Sequence, residues 1–131
     1  MSVDAPFLTD LQFAVMRVLW DRGRATAAEI TEALRPDRRL AQTTIATILS
    51  RLEKRGVVDH DTAGRQYTFF PLIDEAAATR SMVAELTERI FDGDVTALMT
   101  HLISAKQFSR NDLAKVKALI ARHESAKEPT R

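Results

Sequence analysis

Small, hydroxyl-bearing and basic residues share one face of a helix predicted between residues 42 and 54. Apolar residues at Ile45, Leu49 and Leu52 recur at helical spacing, with Ile48 beside them, and define the opposite, buried face. Short side chains let a helix backbone approach base edges in a DNA major groove, and Arg or Lys binds guanine or phosphate. This chemistry predicts a DNA-contacting face made of Gln42, Thr43, Thr44, Ala46, Thr47, Ser50, Arg51 and Lys54.

A β-hairpin is predicted directly after this helix. Gly56 ends the helix, the β-branched and aromatic runs at 57–58 and 67–70 are typical of strands, and residues 61–64 have the composition of a turn. Arg65 lies at or just past the tip, where it either meets DNA phosphate or remains an ordinary solvated arginine. A helix followed by a β-ribbon is the layout of a winged helix-turn-helix, in which the helix enters the major groove and the ribbon lies beside it.

Two further helices are predicted upstream, each opened by a capping box. The boxes are Thr9 to Gln12 and Thr26 to Glu29, in which the threonine is followed three residues later by Gln or Glu. In the first helix the predicted buried face consists of Leu11, Val15, Val18 and Leu19, with Met16 flanking it. The segment 35–39 then breaks the helical pattern at a proline and carries three arginines, which are either solvated or in contact with phosphate.

The C-terminal part is predicted to be helical with short breaks. Helices are expected over 74–91, after the cap residue Asp94 and after the capping box that begins at Ser109. Three short helices cannot easily bury their apolar stripes against one another, so we expect a second subunit to cover these stripes. The alternative is a monomer in which the helices fold back on the winged helix. The predicted dimerisation residues are Val83, Leu86, Ile90, Leu98, Met99, Leu102, Ile103, Leu113, Val116 and Ile120.

The chain resembles the penicillinase-repressor family of bacterial winged-helix regulators (the BlaI/MecI type). The matching features are Val-Met-x-x-Leu-Trp at 15–20, Glu29-Ile30, Thr-Thr-Ile and Leu-x-Arg-Leu within 43–52, and the strand containing Tyr67. The resemblance implies a mainly α fold with a small β-ribbon, namely a winged helix-turn-helix DNA-binding domain over residues 1–72 and a helical dimerisation domain over residues 73–131.

The same resemblance implies a function and a set of positions. It implies a homodimeric transcriptional repressor that binds a palindromic operator in double-stranded DNA. Thr43, Thr44, Thr47, Ser50 and Arg51 fall where the family's recognition helix faces DNA, and Arg65 and Tyr67 fall in its wing. Some relatives carry a basic residue at the position of Ala46, which leaves the base preference open. The alternative from another class is a winged helix used for protein–protein contacts or for architectural DNA binding without sequence preference.

Regulation is also implied only by resemblance. In antibiotic-responsive relatives a membrane-bound sensor protease signals, and the repressor is cut at an Asn-Phe bond within its dimerisation helices. The matching position here is His101-Leu102, so this sequence departs from the family's cleavage pattern.

Composition and charge limit the other function classes. The 131 residues are 45% hydrophobic with a net charge of +1, but cations outnumber acids seven to four over 35–66, whereas acids outnumber cations six to two over 71–104. The chain has no cysteine, and its three histidines lack metal-ligand spacing, so no metal, cofactor or catalytic site is predicted. Without an apolar run of about 20 residues or a signal-peptide pattern, no membrane association is expected and the predicted location is the bacterial cytoplasm, at the nucleoid.

Overall fold

The computed structural model describes residues 8–105 and 108–127, which form six α-helices and one three-stranded antiparallel sheet. In chain order the elements are α1 (Asp10–Arg22), β1 (Ala25–Thr26), α2 (Ala27–Leu34), α3 (Gln42–Lys54), β2 (Val58–Ala63), β3 (Gln66–Pro71), α4 (Glu75–Phe91), α5 (Val95–Ser104) and α6 (Arg110–Lys127). The predicted winged helix-turn-helix, followed by a helical region, is confirmed.

Both predicted N-terminal capping boxes are present. The Thr9 hydroxyl accepts a hydrogen bond from the backbone amide of Gln12 at 3.2 Å, and the Gln12 side chain accepts from the Thr9 amide at 3.0 Å. Thr26 and Glu29 make the same reciprocal pair at 3.1 and 2.8 Å at the start of α2. Each box satisfies two amides that a helix start leaves without an intrahelical partner, so the sequence itself fixes where α1 and α2 begin.

The hairpin differs from the prediction in its turn. Strand β2 continues to Ala63, which pairs with Gln66, so the loop consists of Gly64 and Arg65 alone and the prediction of a turn over residues 61–64 was wrong for its first three residues. Gly64 has φ 66°, a conformation that glycine adopts without strain. A positive φ at the first loop residue fits a tight two-residue hairpin, whose twist matches that of the strands and lets them pair up to the tip.

The sequence did not predict a third strand. Ala25 and Thr26 form β1 and pair with Phe69 and Thr68 of β3, which gives the sheet the order β1-β3-β2. A strand of two residues is too short to show an alternating pattern. Its effect is to tie the start of α2 to the base of the hairpin.

The core of the N-terminal part lies between α1, α2, α3 and the sheet. Its fully buried large side chains are Leu8, Val15, Met16, Leu19, Ile30, Ile45, Leu49, Leu52, Val57 and Val58. Met16, predicted to flank the core, is buried, whereas Leu11 and Val18 are only partly buried. The buried residues of α1 are thus Val15, Met16 and Leu19, and α1 contacts β3 as well as α2 and α3.

The chain divides into two compact units between Leu86 and Thr87. In the first unit, the Trp20 indole Nε1 donates a hydrogen bond to the Ile73 carbonyl at 2.9 Å, and Ala78 and Met82 pack against the core, so the start of α4 belongs to this unit. The predicted functional boundary after residue 72 stays a prediction.

The second unit contains the end of α4 together with α5 and α6. Asp94 caps α5 through the Ala97 amide at 3.0 Å, and Ser109 and Asp112 form the predicted reciprocal cap at the start of α6. Within residues 8–105 and 108–127, no helix is long and apolar enough to cross a membrane.

Candidate nucleic-acid interface

A groove of about 400 Å³ lies between helix α3 and the β2–β3 hairpin, which is the wing of the fold. One wall is the row of α3 residues Gln42, Ala46 and Ser50, which succeed one another at one-turn spacing. The opposite wall is formed by Arg65 and Tyr67 of the wing. The groove thus brings together five of the ten residues predicted to bind DNA.

The other five predicted residues lie on neighbouring rows of the same helix and are all exposed. They are Thr43, Thr44, Thr47, Arg51 and Lys54. Helix α3 presents this whole face because Ile45, Leu49 and Leu52 on its other side are fully buried. The buried stripe therefore fixes the rotation of α3 about its axis, and with it the set of side chains that reaches solvent.

The hydroxyl groups on this face differ in the hydrogen bonds that they can still form with DNA. The Thr47 hydroxyl donates to the Thr43 carbonyl one turn earlier, at 3.0 Å. Its hydrogen is occupied, but its lone pairs and its methyl group still face outwards, and a methyl group suits contact with the thymine methyl. Ser50 has no such bond among the described residues, so it can both donate and accept.

The end of the groove is formed by residues that the sequence analysis did not select. Thr26, Ala27 and Ala28, at the start of α2, line it. The first amides of a helix point outwards and carry partial positive charge, which suits phosphate. The capping box marked this helix start in the sequence, but only the pairing of β1 with β3 places it beside α3 and the wing.

The wing carries an aromatic cluster on the groove side. The ring of His60 stacks on Tyr67, with centroids 4.0 Å apart and an interplanar angle of 11°, and lies 5.5 Å from Phe69. His60 and Tyr67 occupy a diagonal position on adjacent strands, since His60 pairs with Phe69 and Tyr67 with Thr62. Tyr67 remains 52% exposed, so its free face and hydroxyl are available.

Glu53, in the last turn of α3, reaches this cluster. Its carboxylate lies 2.6 Å from Nδ1 of His60. His60 is partly buried, with a side-chain exposure of 22%. No sequence signal joins positions 53 and 60, because their contact depends on how the hairpin folds back onto α3.

The same two residues, together with Asp59, are where a metal ion would find ligands. Nδ1 of His60 and one carboxylate oxygen each from Glu53 and Asp59 lie within 4.8 Å of one another. Asp59 is exposed, however, and its carboxylate accepts a hydrogen bond from the His60 amide at 2.8 Å. The imidazole–carboxylate hydrogen bond already gives His60 and Glu53 their partners, so the geometry favours a structural pair over a metal centre.

The basic residues around the face fall into two groups. Arg35 pairs with Glu32 at 3.1 Å and Arg38 with Asp10 at 2.9 Å, so two of the three arginines in segment 35–39 are engaged within the protein. Arg24, also ion-paired, contacts Asp61 and thereby holds β2. Within the described residues no ion pair is formed by Arg39, Arg51, Lys54 or Arg65. These four exposed cations are free to meet phosphate.

Comparison with known proteins identifies the family. The profile described as penicillinase repressor matches residues 8–122, which covers both compact units. The chain belongs to the penicillinase repressor family. The proteins of this family are DNA-binding transcriptional repressors and not enzymes, and the expectation of a repressor is thereby confirmed.

Individual relatives agree with this membership. The penicillinase repressor of Bacillus licheniformis is 24% identical over 123 residues, which span 94% of this chain and 96% of the relative. The transcriptional regulator BlaI of Mycobacterium tuberculosis is 35% identical over 99 residues, 73% of this chain and 71% of the relative. The solution structure of the DNA-binding domain of the repressor BlaI superimposes with a TM-score of 0.51 at 30% identity, covering 59% of this chain and 93% of that domain.

Proposed function

We propose that this repressor binds a palindromic operator as a homodimer, with α3 of each subunit in the major groove of one half-site. The observation that carries the proposal is the exposed polar face of α3, which lies beside a groove bounded by the wing and the start of α2. A B-DNA major groove is about 12 Å wide and admits one α-helix. A face of short side chains lets the axis of α3 approach the base edges.

The residues of α3 differ in the chemical groups that they offer to DNA. Gln42, Thr43 and Ser50 have amide or hydroxyl groups suited to base edges, and Arg51 has the guanidinium geometry for guanine or for phosphate. Ala46 has no polar atom, so it offers only van der Waals contact, for example with a thymine methyl. A relative with a basic residue at that position would bind a different base there, and we therefore expect the base preference of this chain to differ.

The wing and the start of α2 fit the sugar–phosphate backbone on one side of the groove. Arg65 at the tip of the hairpin supplies a charge and Tyr67 a hydroxyl, and residues at the start of α2 line the same groove. Contacts of this kind fix the position and orientation of a protein on DNA without reading sequence. Lys54 and Arg39 extend the phosphate-binding surface beyond the groove.

The apolar residues of α4, α5 and α6 support the homodimer. None of the ten predicted dimerisation residues is buried in the isolated chain, and Ile90 is 64% and Ile120 51% exposed. Among the described residues after Leu86, only Thr87 is buried. Exposed apolar surface of this extent marks an interaction site, and a two-fold partner would also match the symmetry of a palindromic operator.

Release from DNA by a sensor-linked protease is part of the proposal for regulation. The position that the family resemblance assigns to cleavage, His101-Leu102, lies within α5, where His101 is exposed and Leu102 is half-buried. A protease must unwind this part of α5 to reach the bond. Since the residues are not Asn-Phe, we expect a protease selective for that pair to leave this chain intact.

A binding selection tests the proposal. Purified protein is mixed with sheared DNA from its source genome at moderate salt, and the retained DNA is sequenced. A few enriched fragments sharing an inverted repeat would support a dimeric operator-binding repressor and would name its targets. Retention of all fragments equally would favour architectural binding, and retention of none would favour a winged helix used for protein contacts.

A further inference from the structure

The contact between Glu53 and His60 joins the recognition helix directly to the wing. Glu53 lies in the last turn of α3 and His60 in β2, and they are 2.6 Å apart. An ionised carboxylate only accepts hydrogen bonds, so with Glu53 ionised the hydrogen lies on Nδ1 of His60. The bond fixes both the tautomer and the plane of the imidazole ring.

The plane of His60 in turn sets the position of Tyr67. The two rings are nearly parallel, and their centroid separation of 4.0 Å places them in contact. Phe69 confines the pair from the side, 5.5 Å from His60 and 6.2 Å from Tyr67. One face of Tyr67 is therefore covered by His60, and both residues line the groove together with Ala46 and Ser50.

We propose that Glu53 and His60 are positioning residues for DNA binding, which act through Tyr67 to hold the wing at a fixed distance and orientation from α3. This inference rests on the proposed function. It assigns a role to Glu53, the one acidic residue among the described residues that line the groove, where a carboxylate would otherwise only repel phosphate. In this role Glu53 adds no contact with DNA, but it preorganises the contacts that Tyr67 and Arg65 make.

Two alternatives give Glu53 a different effect. If its charge simply repels the DNA backbone, removing the charge would strengthen binding whether or not the hydrogen bond survives. If Glu53 reads a base directly, as carboxylates accept from cytosine N4, then Glu53→Ala would change the preferred base at one position of each half-site. Positioning predicts neither outcome.

The test measures affinity for an operator fragment recovered by the binding selection, in the presence of EDTA so that metal binding plays no part. Glu53→Gln retains an oxygen that can accept from Nδ1, whereas Glu53→Ala retains none. Positioning predicts that Glu53→Ala binds about tenfold more weakly, the scale of one aromatic pair and one hydrogen bond, and that Glu53→Gln recovers most of the loss.

A double-mutant cycle tests whether the effect passes through Tyr67. His60→Ala should weaken binding about tenfold in the wild-type background and change it little when Tyr67 is already alanine, because the residue positioned is then absent. Asp59→Ala is the matched control. It removes a carboxylate from the neighbouring position of β2, and with it the hydrogen bond from the His60 backbone amide, but keeps all three aromatic rings and the Glu53 contact, so it should not weaken binding.

The outcomes separate the two proposals. If the wild-type protein shows no sequence-selective binding, the proposed function fails. If the wild type binds its operator but Glu53→Ala and His60→Ala bind as tightly, with circular dichroism showing all variants folded, the positioning role is overturned. Stronger binding by both Glu53 variants, or equal losses from His60→Ala with and without Tyr67, would overturn it as well.

Discussion

Replacing Arg65 by Gln should lower the salt dependence of operator binding by a definite amount. Arg65 lies at the tip of the wing, is exposed and forms no ion pair within the described residues. A cation in this state releases counterions from DNA when it meets phosphate. Each such contact changes the slope of log K against log salt by about −0.9. Glutamine removes the charge and leaves a side chain of similar reach.

The magnitude follows from the free cations of the interface. Each subunit offers Arg39, Arg51, Lys54 and Arg65, so a dimer offers eight possible phosphate contacts. Eight contacts give a slope near −7, which is a loss of about 10⁴ in affinity between roughly 50 and 200 mM salt. Without the two copies of Arg65 the slope falls to about −5, and the loss over the same range to about 10³.

The assay is fluorescence anisotropy with a labelled operator duplex, titrated at several salt concentrations. Arg35→Gln is the matched control, because Arg35 is paired with Glu32 and should leave the slope unchanged. An unchanged slope for Arg65→Gln, or an equal change for both variants, would refute the assignment of Arg65 to the phosphate backbone.

Three further predictions concern the interface and its support. Leu102→Asp should raise the dimer dissociation constant at least about 100-fold, because two charges enter an apolar contact, and it should therefore weaken operator binding. An unchanged mass by light scattering together with full DNA affinity would contradict this prediction. Thr26→Ala should lower the free energy of unfolding, measured in urea, by about 1 kcal/mol because the α2 cap is lost. The control Thr79→Ala, at an exposed position, should lower it little, and equal losses for the two variants would count against the cap. Gly64→Val should destabilise the protein by about 1–2 kcal/mol and weaken DNA binding, because Gly64 has a φ of 66°, which is strained for a β-branched residue. Gly64→Asn should be tolerated, and identical melting temperatures for the two variants would disprove the conformational argument.

The elements that could be predicted are those whose signals are local. The two threonine capping boxes and the apolar stripe of α3 each lie within one helix, so residue type and spacing set the helix starts and the exposed face. The same stripe explains why the eight DNA-binding candidates on α3 are all exposed.

The features that were missed depend on packing between elements distant in sequence. The strand at Ala25–Thr26 exists only because β3 is available to pair with it, and Met16 is buried in a core that several elements share. Likewise, the hydrogen bond between Glu53 and His60 requires the hairpin to fold back onto the end of α3. A single sequence gives the chemistry of these side chains but not their distance.

Changing the arrangement of the operator half-sites tests most directly whether a two-fold dimer binds an inverted repeat. The measurement compares affinity for the recovered repeat, for a repeat with one half-site scrambled, and for one lengthened at its centre by about five base pairs, half a helical turn. We expect two protomers per intact repeat and a strong loss of affinity from either change, with the lengthened site failing because its half-sites face opposite sides of the duplex. Equal affinity for all three duplexes, or one protomer bound to each, would contradict it.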